Sequence, residues 1–142
     1  MGYTHYWGDH PNGPSFSDNE WSSLQETARR IVRESVTAAI ALQWESDQER
    51  APQIDDEVIR FNGVGQNGHE TFFLQKSGDW AFCKTARKPY DTPVVAILLA
   101  AQALGLKVSS DGSEDPEGVM TKTDDAMLDG ALMLHAALNM RA

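Results

Sequence analysis

Hydrophobic and polar positions alternate with period two at the start of the chain, in "GYTHYWG". Such alternation predicts a strand with Tyr3, His5 and Trp7 on one side and Thr4 and Tyr6 on the other. "GDHPNGPS" reads as a loop from its Gly, Pro and Asn content. The period then changes. In "SDNEWSSLQETARRIVRESVTAAIALQW", Trp21, Leu24, Ala28, Ile31, Val32, Val36, Ala39 and Ile40 recur at three- and four-residue spacing. That is the stripe of a long amphipathic helix, opened by the capping box Ser17-x-x-Glu20. Its other face, with Glu26, Arg29, Arg30, Arg33 and Glu34, reads as solvated.

After a polar connection, "ESDQERAPQIDD", three strand patterns follow: "EVIRFNG", "HETFFLQK" and "WAFCKT". The glycine-rich "GVGQNG" and the short "SGD" separate them, so an antiparallel meander is expected. In its last strand Trp80, Phe82 and Lys84 share one face, and Ala81, Cys83 and Thr85 the other. "TPVVAILLAAQALG" is apolar nearly all round, as a buried helix is. Thr92 is its expected N-cap, Pro93 its first position and Gly105 its stop. "LKVSSDG" predicts a last strand, and "TKTDDAMLDGALMLHAALNM" a last helix striped by Met127, Leu128, Ala131, Leu132, His135 and Leu138. The order β-α-β-β-β-α-β-α predicts one α+β domain over residues 1–142. Its sheet is mostly antiparallel with helices on one face, a ferredoxin-like βαββαβ core with an extra strand and a C-terminal helix.

Charge changes the picture. The formal net charge is −9, which disfavours non-specific binding to a phosphate backbone. Yet Lys84, Arg87 and Lys88 lie within five residues, just before the buried helix. Helix N-termini attract anions through free amides and the helix dipole. Lys84, Thr85, Arg87 and Tyr90 are therefore candidate anion-binding residues. The alternative is that Asp91 caps the helix itself while the cations sit in water. Tyr3, His5, Tyr6 and Trp7 offer a stacking platform for a base or sugar ring, or else a core-facing strand. Asn62, Glu70 and Asp111 could read the polar edges of a ligand. "GVGQNG" lacks the Gly-Lys-Ser/Thr ending of a phosphate loop.

The single cysteine, Cys83, excludes an intramolecular disulfide and a multi-thiolate zinc site. Beside Lys84 it could be an activated nucleophile, but it needs a base, and none of His5, His10, His69 or His135 is placed there by sequence. A buried, inert thiol is the competing reading. Neither a cofactor nor a metal site is expected. With no run of roughly 18 apolar residues, and no basic and apolar leader in "MGYTHYWGDH", a cytoplasmic protein without a membrane partner is expected.

Taken together, "GYTHYW", "FNG…ETF", "FCKTARKPYD" and "SDG" resemble an uncharacterised family of small proteins found mainly in bacteriophage genomes and some bacteria. The resemblance spans about residues 2–112. It implies a phage accessory protein acting in the host cytoplasm, and it supplies no catalytic residues. Three functions remain open. The first is a binding protein for an anionic, nucleotide-like ligand, linear or cyclic, such as a sponge that sequesters a host immune signal. The second is an enzyme acting on a similar ligand through Cys83 or the Glu70/Asp111 pair. The third is an inhibitor that binds a host protein. Self-association into a homo-oligomer fits any of them, because edge strands and apolar helix faces need covering.

Overall fold

The computed structural model describes residues 3–8 and 15–140. The loop expected over residues 8–15 and His10 lie almost wholly outside them. The described elements are β1 (Thr4–Trp7), α1 (Asp18–Thr37), β2 (Leu42–Gln43), β3 (Gln53–Ile54), β4 (Val58–Gly63), β5 (Phe72–Gln75), β6 (Ala81–Lys84), α2 (Asp91–Ala103), β7 (Val108–Ser110) and α3 (Leu128–Leu138). Short 3-10 turns at Gly65–Asn67 and Asp125–Met127 precede β5 and α3. This is an α+β fold with antiparallel sheets.

The first strand of the chain is the centre of its sheet. β1 pairs antiparallel with β6 on one side and β7 on the other, in register His5↔Cys83 and His5↔Ser110. β6 and β7 therefore run parallel to each other, and α2 connects them across the sheet while β1 fills the gap. That split crossover is one half of the ferredoxin-like arrangement. The other half departs from it, because α1 leads first into β2, β3 and β4. β4 pairs with β2 and β3 along one edge and with β5 along the other.

The expected three-strand meander stops after two strands. β4 and β5 form a hairpin, with Phe61↔Phe72 in register, but β6 leaves it to pair with β1. A close backbone approach marks the departure. Gly8 sits at φ 87°, and a Cβ there would lie 2.6 Å from the Gly78 carbonyl oxygen. Only glycine lets β1 come this near the turn between β5 and β6.

The helices cover one face. β1 and β6 send His5, Trp7 and Cys83 inward, where α2 lies buried on nearly every side from Pro93 to Leu99. α1 contributes Trp21, Leu24, Ala28 and Ile31, and its capping box at Ser17 and Glu20 forms as expected. It ends at Thr37, short of the expected Trp44. Ala39 turns left-handed at φ 60°, and Leu42 pairs with Gly63. Pairing with β4 overrides the helix propensity of the Ala-rich run. Val36, placed on the stripe by spacing, is exposed. The connection read as wholly polar contains β3. α2 begins two residues before Pro93, and Thr92 is not its cap. Gly105, at φ 108°, follows its end as expected.

The face of α3 is reversed. Gly130, Met133 and Ala137 are buried, whereas Leu128, Leu138 and Leu132 (67% exposed) face outward. A helix apolar on all sides does not specify its face by bulk. Gly130 does: a Cβ there would collide with Cγ1 of Val95 on α2. Close helix–helix approach at the glycine selects the contact.

Two substitutions separate these roles. Gly130→Ala should cost about 1–3 kcal/mol by overpacking. Leu132→Gln should change stability by no more than about 0.5 kcal/mol, as other exposed positions do. Urea unfolding of both variants checks the assignment.

Candidate ligand-binding face

β1 divides its candidate residues between two environments. On the inner face His5 is fully buried, and both ring nitrogens are engaged. Nε2 lies 2.6 Å from Asp91 Oδ1 and Nδ1 2.8 Å from Ser110 Oγ. Thr85 Oγ1 donates to the same carboxylate oxygen at 2.5 Å, and the Gly112 amide donates to Ser110 Oγ at 3.0 Å. A carboxylate only accepts, so Nε2–H donates to Asp91, while Nδ1 and the Ser110 hydroxyl share the second bond. The chain Gly112–Ser110–His5–Asp91–Thr85 is thus closed on itself. It contains a Ser, a His and an Asp in series, with His5 and Ser110 buried.

The basic stretch does not form an anion cradle. At the start of α2 the amides already have acceptors: Asp91 N donates to Lys88 O (2.8 Å), Thr92 N to Pro89 O (3.3 Å) and Val94 N to Tyr90 O (3.2 Å). Pro93 has no N–H. The Asp91 carboxylate holds Thr85 and His5 at this same point. Ala86 and Arg87 are left-handed, at φ 53° and 58°. That local strain turns Arg87 back over the Tyr3 ring, 4.3 Å from its centroid. Tyr3 meets His5 edge-on at 5.1 Å and is buried. Burial beside Asp91 pushes its phenol up to about 12.

Other candidates are likewise committed to structure. Tyr90 is fully buried, and its hydroxyl donates to Glu70 O at 2.6 Å. Burial raises its pKa as well. Cys83 lies beside it and donates to the same carbonyl at 3.3 Å. Burial pushes this thiol up to about 12, the opposite of what a nucleophile requires. Asn62 is buried and makes four bonds: its amide donates to His69 O and Thr71 Oγ1, and its oxygen accepts from Gly63 N and His69 N. It staples the β4–β5 turn. Glu70 accepts from Lys84 N at 2.7 Å, and Asp111 from Thr4 N at 3.1 Å. The two carboxylates cap backbone amides of a paired row, since Thr4 and Lys84 are register partners.

The outer face is different. Tyr6, Phe82 and Trp80 form a row, with ring centroids 6.5 Å and 5.5 Å apart in turn. Trp80 is 52% and Phe82 47% exposed, and Phe73 lies nearby at 40%. Lys84 follows Phe82 on the same face. Two clefts flank Trp80. One, of about 350 Å³, is walled by Phe73, Trp80 and Phe82, with Glu70 at its rim. The other, of about 340 Å³, is walled by Tyr6, Trp7, Trp80, Lys107 and Ser109, and the Tyr6 hydroxyl donates to Asp111 Oδ1 at 3.4 Å. Trp7 also carries a buried indole N–H with no acceptor among the described residues.

Of the candidates from sequence, Tyr3, His5, Thr85, Arg87 and Tyr90 gather under the sheet. Tyr6 and Lys84 lie on its open side, with Trp7 in the wall of a cleft, and Asn62 sits apart in its turn. Asp91 and Ser110 complete the inner network, and Trp80, Phe82 and Phe73 complete the outer face. Sequence reasoning offered Asp91 only as the helix's own cap and Trp80 and Phe82 only as one face of a strand, and it passed over Ser110 and Phe73. The signal for Trp80 and Phe82 was their alternation with Cys83, which gives two faces without saying which one is open.

A comparison with protein-family models finds no match, and comparisons with curated proteins and with solved structures find none either. Among the described residues no helix is long and apolar enough to cross a membrane.

Asp91→Ala should lower stability by about 1–3 kcal/mol, because it leaves the buried His5 Nε2 and Thr85 hydroxyl without their shared acceptor. Arg87→Ala removes one half-exposed cation–π contact and should cost about 1 kcal/mol or less. Chemical denaturation distinguishes them.

Alkaline pH gives a second check. The ordinary values of Cys83 and Tyr3, 9 and 10, both rise to about 12 on folding. Above about pH 9 the unfolded chain therefore releases protons that the folded chain keeps. These contributions to stability are complete below pH 9 and are lost as pH rises through about 12. Denaturation midpoints measured across that range should fall, and Cys83 should resist thiol reagents until the protein unfolds.

Proposed function

We propose that the protein binds an anionic ligand with a planar aromatic ring, of which a nucleotide, linear or cyclic, is the natural example. The observation that carries this reading is the exposed row Tyr6–Phe82–Trp80 on an open sheet face. Exposed aromatic rings in a row are suited to stacking a nucleobase, and stacking contributes about 1–3 kcal/mol per base. The cleft walled by Tyr6 and Trp80 supports the anionic part of the reading. It places Lys107 and Ser109 in the wall beside the row, in a chain of net charge −9. Lys84 provides a second cation at the opposite end of the row.

Binding without turnover is favoured over catalysis. The groups that could act as nucleophile or base, Ser110, His5 and Cys83, are buried and satisfied by one another or by backbone. Glu70 and Asp111 hold backbone amides. The resemblance to phage proteins extends this reading to a role: sequestering a host nucleotide signal. That role belongs to the proposal.

Titration calorimetry against mononucleotides and cyclic nucleotides tests it. Trp80→Ala should weaken binding about tenfold or more. Lys84→Ala and Lys107→Ala should weaken it less, and more so at low salt. The ligand should be recovered intact. Absence of binding across the panel, or binding indifferent to Trp80→Ala, would refute the proposal.

A further inference from the structure

A second, roomier hollow adjoins the cleft beside Trp80, with Gln102 and Val119 lining both. It has a volume of about 720 Å³ and runs between the end of α2, residues 119–122 and the outward face of α3. Leu99, Met120, Ala131, Leu134 and Leu138 form an apolar wall, and Lys122 and His135 are the ionisable groups in its lining. Its volume is that of ordinary small-molecule sites, roughly 300–1,000 Å³. The geometry points to a second binding site here, for an amphipathic carboxylate: an aliphatic chain ending in an anion.

Two features select that class. The first is charge. Acidic residues outnumber basic ones by 21 to 12 in this chain, yet no Asp or Glu lines the hollow. A cation at the rim of an apolar trough matches a carboxylate head above an alkyl tail. Asp124, the nearest acid in sequence to Lys122, is buried and turned to the backbone, accepting from Thr121 N and Glu114 N. The second feature is the lack of polar groups along the wall to read a polar ligand. The Gln102 amide donates to Met120 O at 2.7 Å, and the Thr121 hydroxyl pairs with Thr123. His135 Nε2 lies 3.4 Å from the Asn139 amide nitrogen. What remains is hydrocarbon with a positive rim. A nucleotide fits poorly here, so the ligand differs in class from that of the aromatic face, although Gln102 and Val119 line both hollows.

The test uses decanoate below its micellar range, with decanol as the uncharged control. Titration calorimetry on the intact chain should show saturable one-to-one binding of decanoate. Decanol should bind about fivefold to tenfold more weakly, and Lys122→Glu should cost decanoate a similar factor. Leu138→Gln places an amide on an already exposed part of the wall and should weaken both ligands. Circular dichroism should show each variant folded. Equal binding of decanoate and decanol would overturn the charge assignment. No binding of either would overturn the site, and sedimentation showing a dimer lost in Leu138→Gln would assign the hollow to a second copy instead.

Discussion

The fold depends on the bond between His5 and Asp91. β1 is four residues long and sits at the centre of its sheet, paired on both edges and packed through Trp7 on the core. His5 anchors it from within, reaching the first turn of α2 through Nε2 and the end of β7 through Nδ1. One imidazole thus ties together the start of the chain, the start of the buried helix and the last strand. A one-residue slip of β1 would send His5 to solvent and Tyr6 into the core. The polar bonds fix the register, and the register decides which side chains are available for function.

That division explains the basic stretch. Lys84, Arg87 and Lys88 look in sequence like the walls of an anion site at a helix start. In the fold the helix start is occupied by Asp91, a carboxylate supplied by the protein itself, and by the turn carbonyls that accept the first amides. Arg87 is spent on Tyr3. Lys84 is carried to the open face, beyond Phe82 and opposite Thr4. The chemistry that sequence concentrates in one segment is dealt out by strand alternation to two sides of a sheet.

The legible parts of the fold were those set by local pattern: the alternation of β1, the capping box of α1, the apolarity of α2 and the stop at Gly105. The illegible parts were set by contacts distant in sequence. β6 gives no local sign that it pairs with β1 rather than β5. The face of α3 is chosen by a glycine against Val95, not by its leucines. The candidate site follows the same rule. Tyr6 and Lys84 could be named from residue type and position. Trp80 and Phe82 could not be told from core, because bulky aromatics on an alternating strand normally point inward. Ser110 carried no signal at all, since its role exists only once β7 lies beside β1.

The central claim is that the open side of the β6–β1–β7 sheet, and not the start of α2, is where an anionic aromatic ligand binds. Amide and indole chemical shifts recorded during titration with adenosine monophosphate test it most directly. The account predicts that the largest changes fall on the Trp80 indole and the amides of Tyr6, Phe82 and Lys84, with Tyr90 to Val94 nearly still. Changes concentrated at Arg87 to Val94, with Trp80 unmoved, would contradict it.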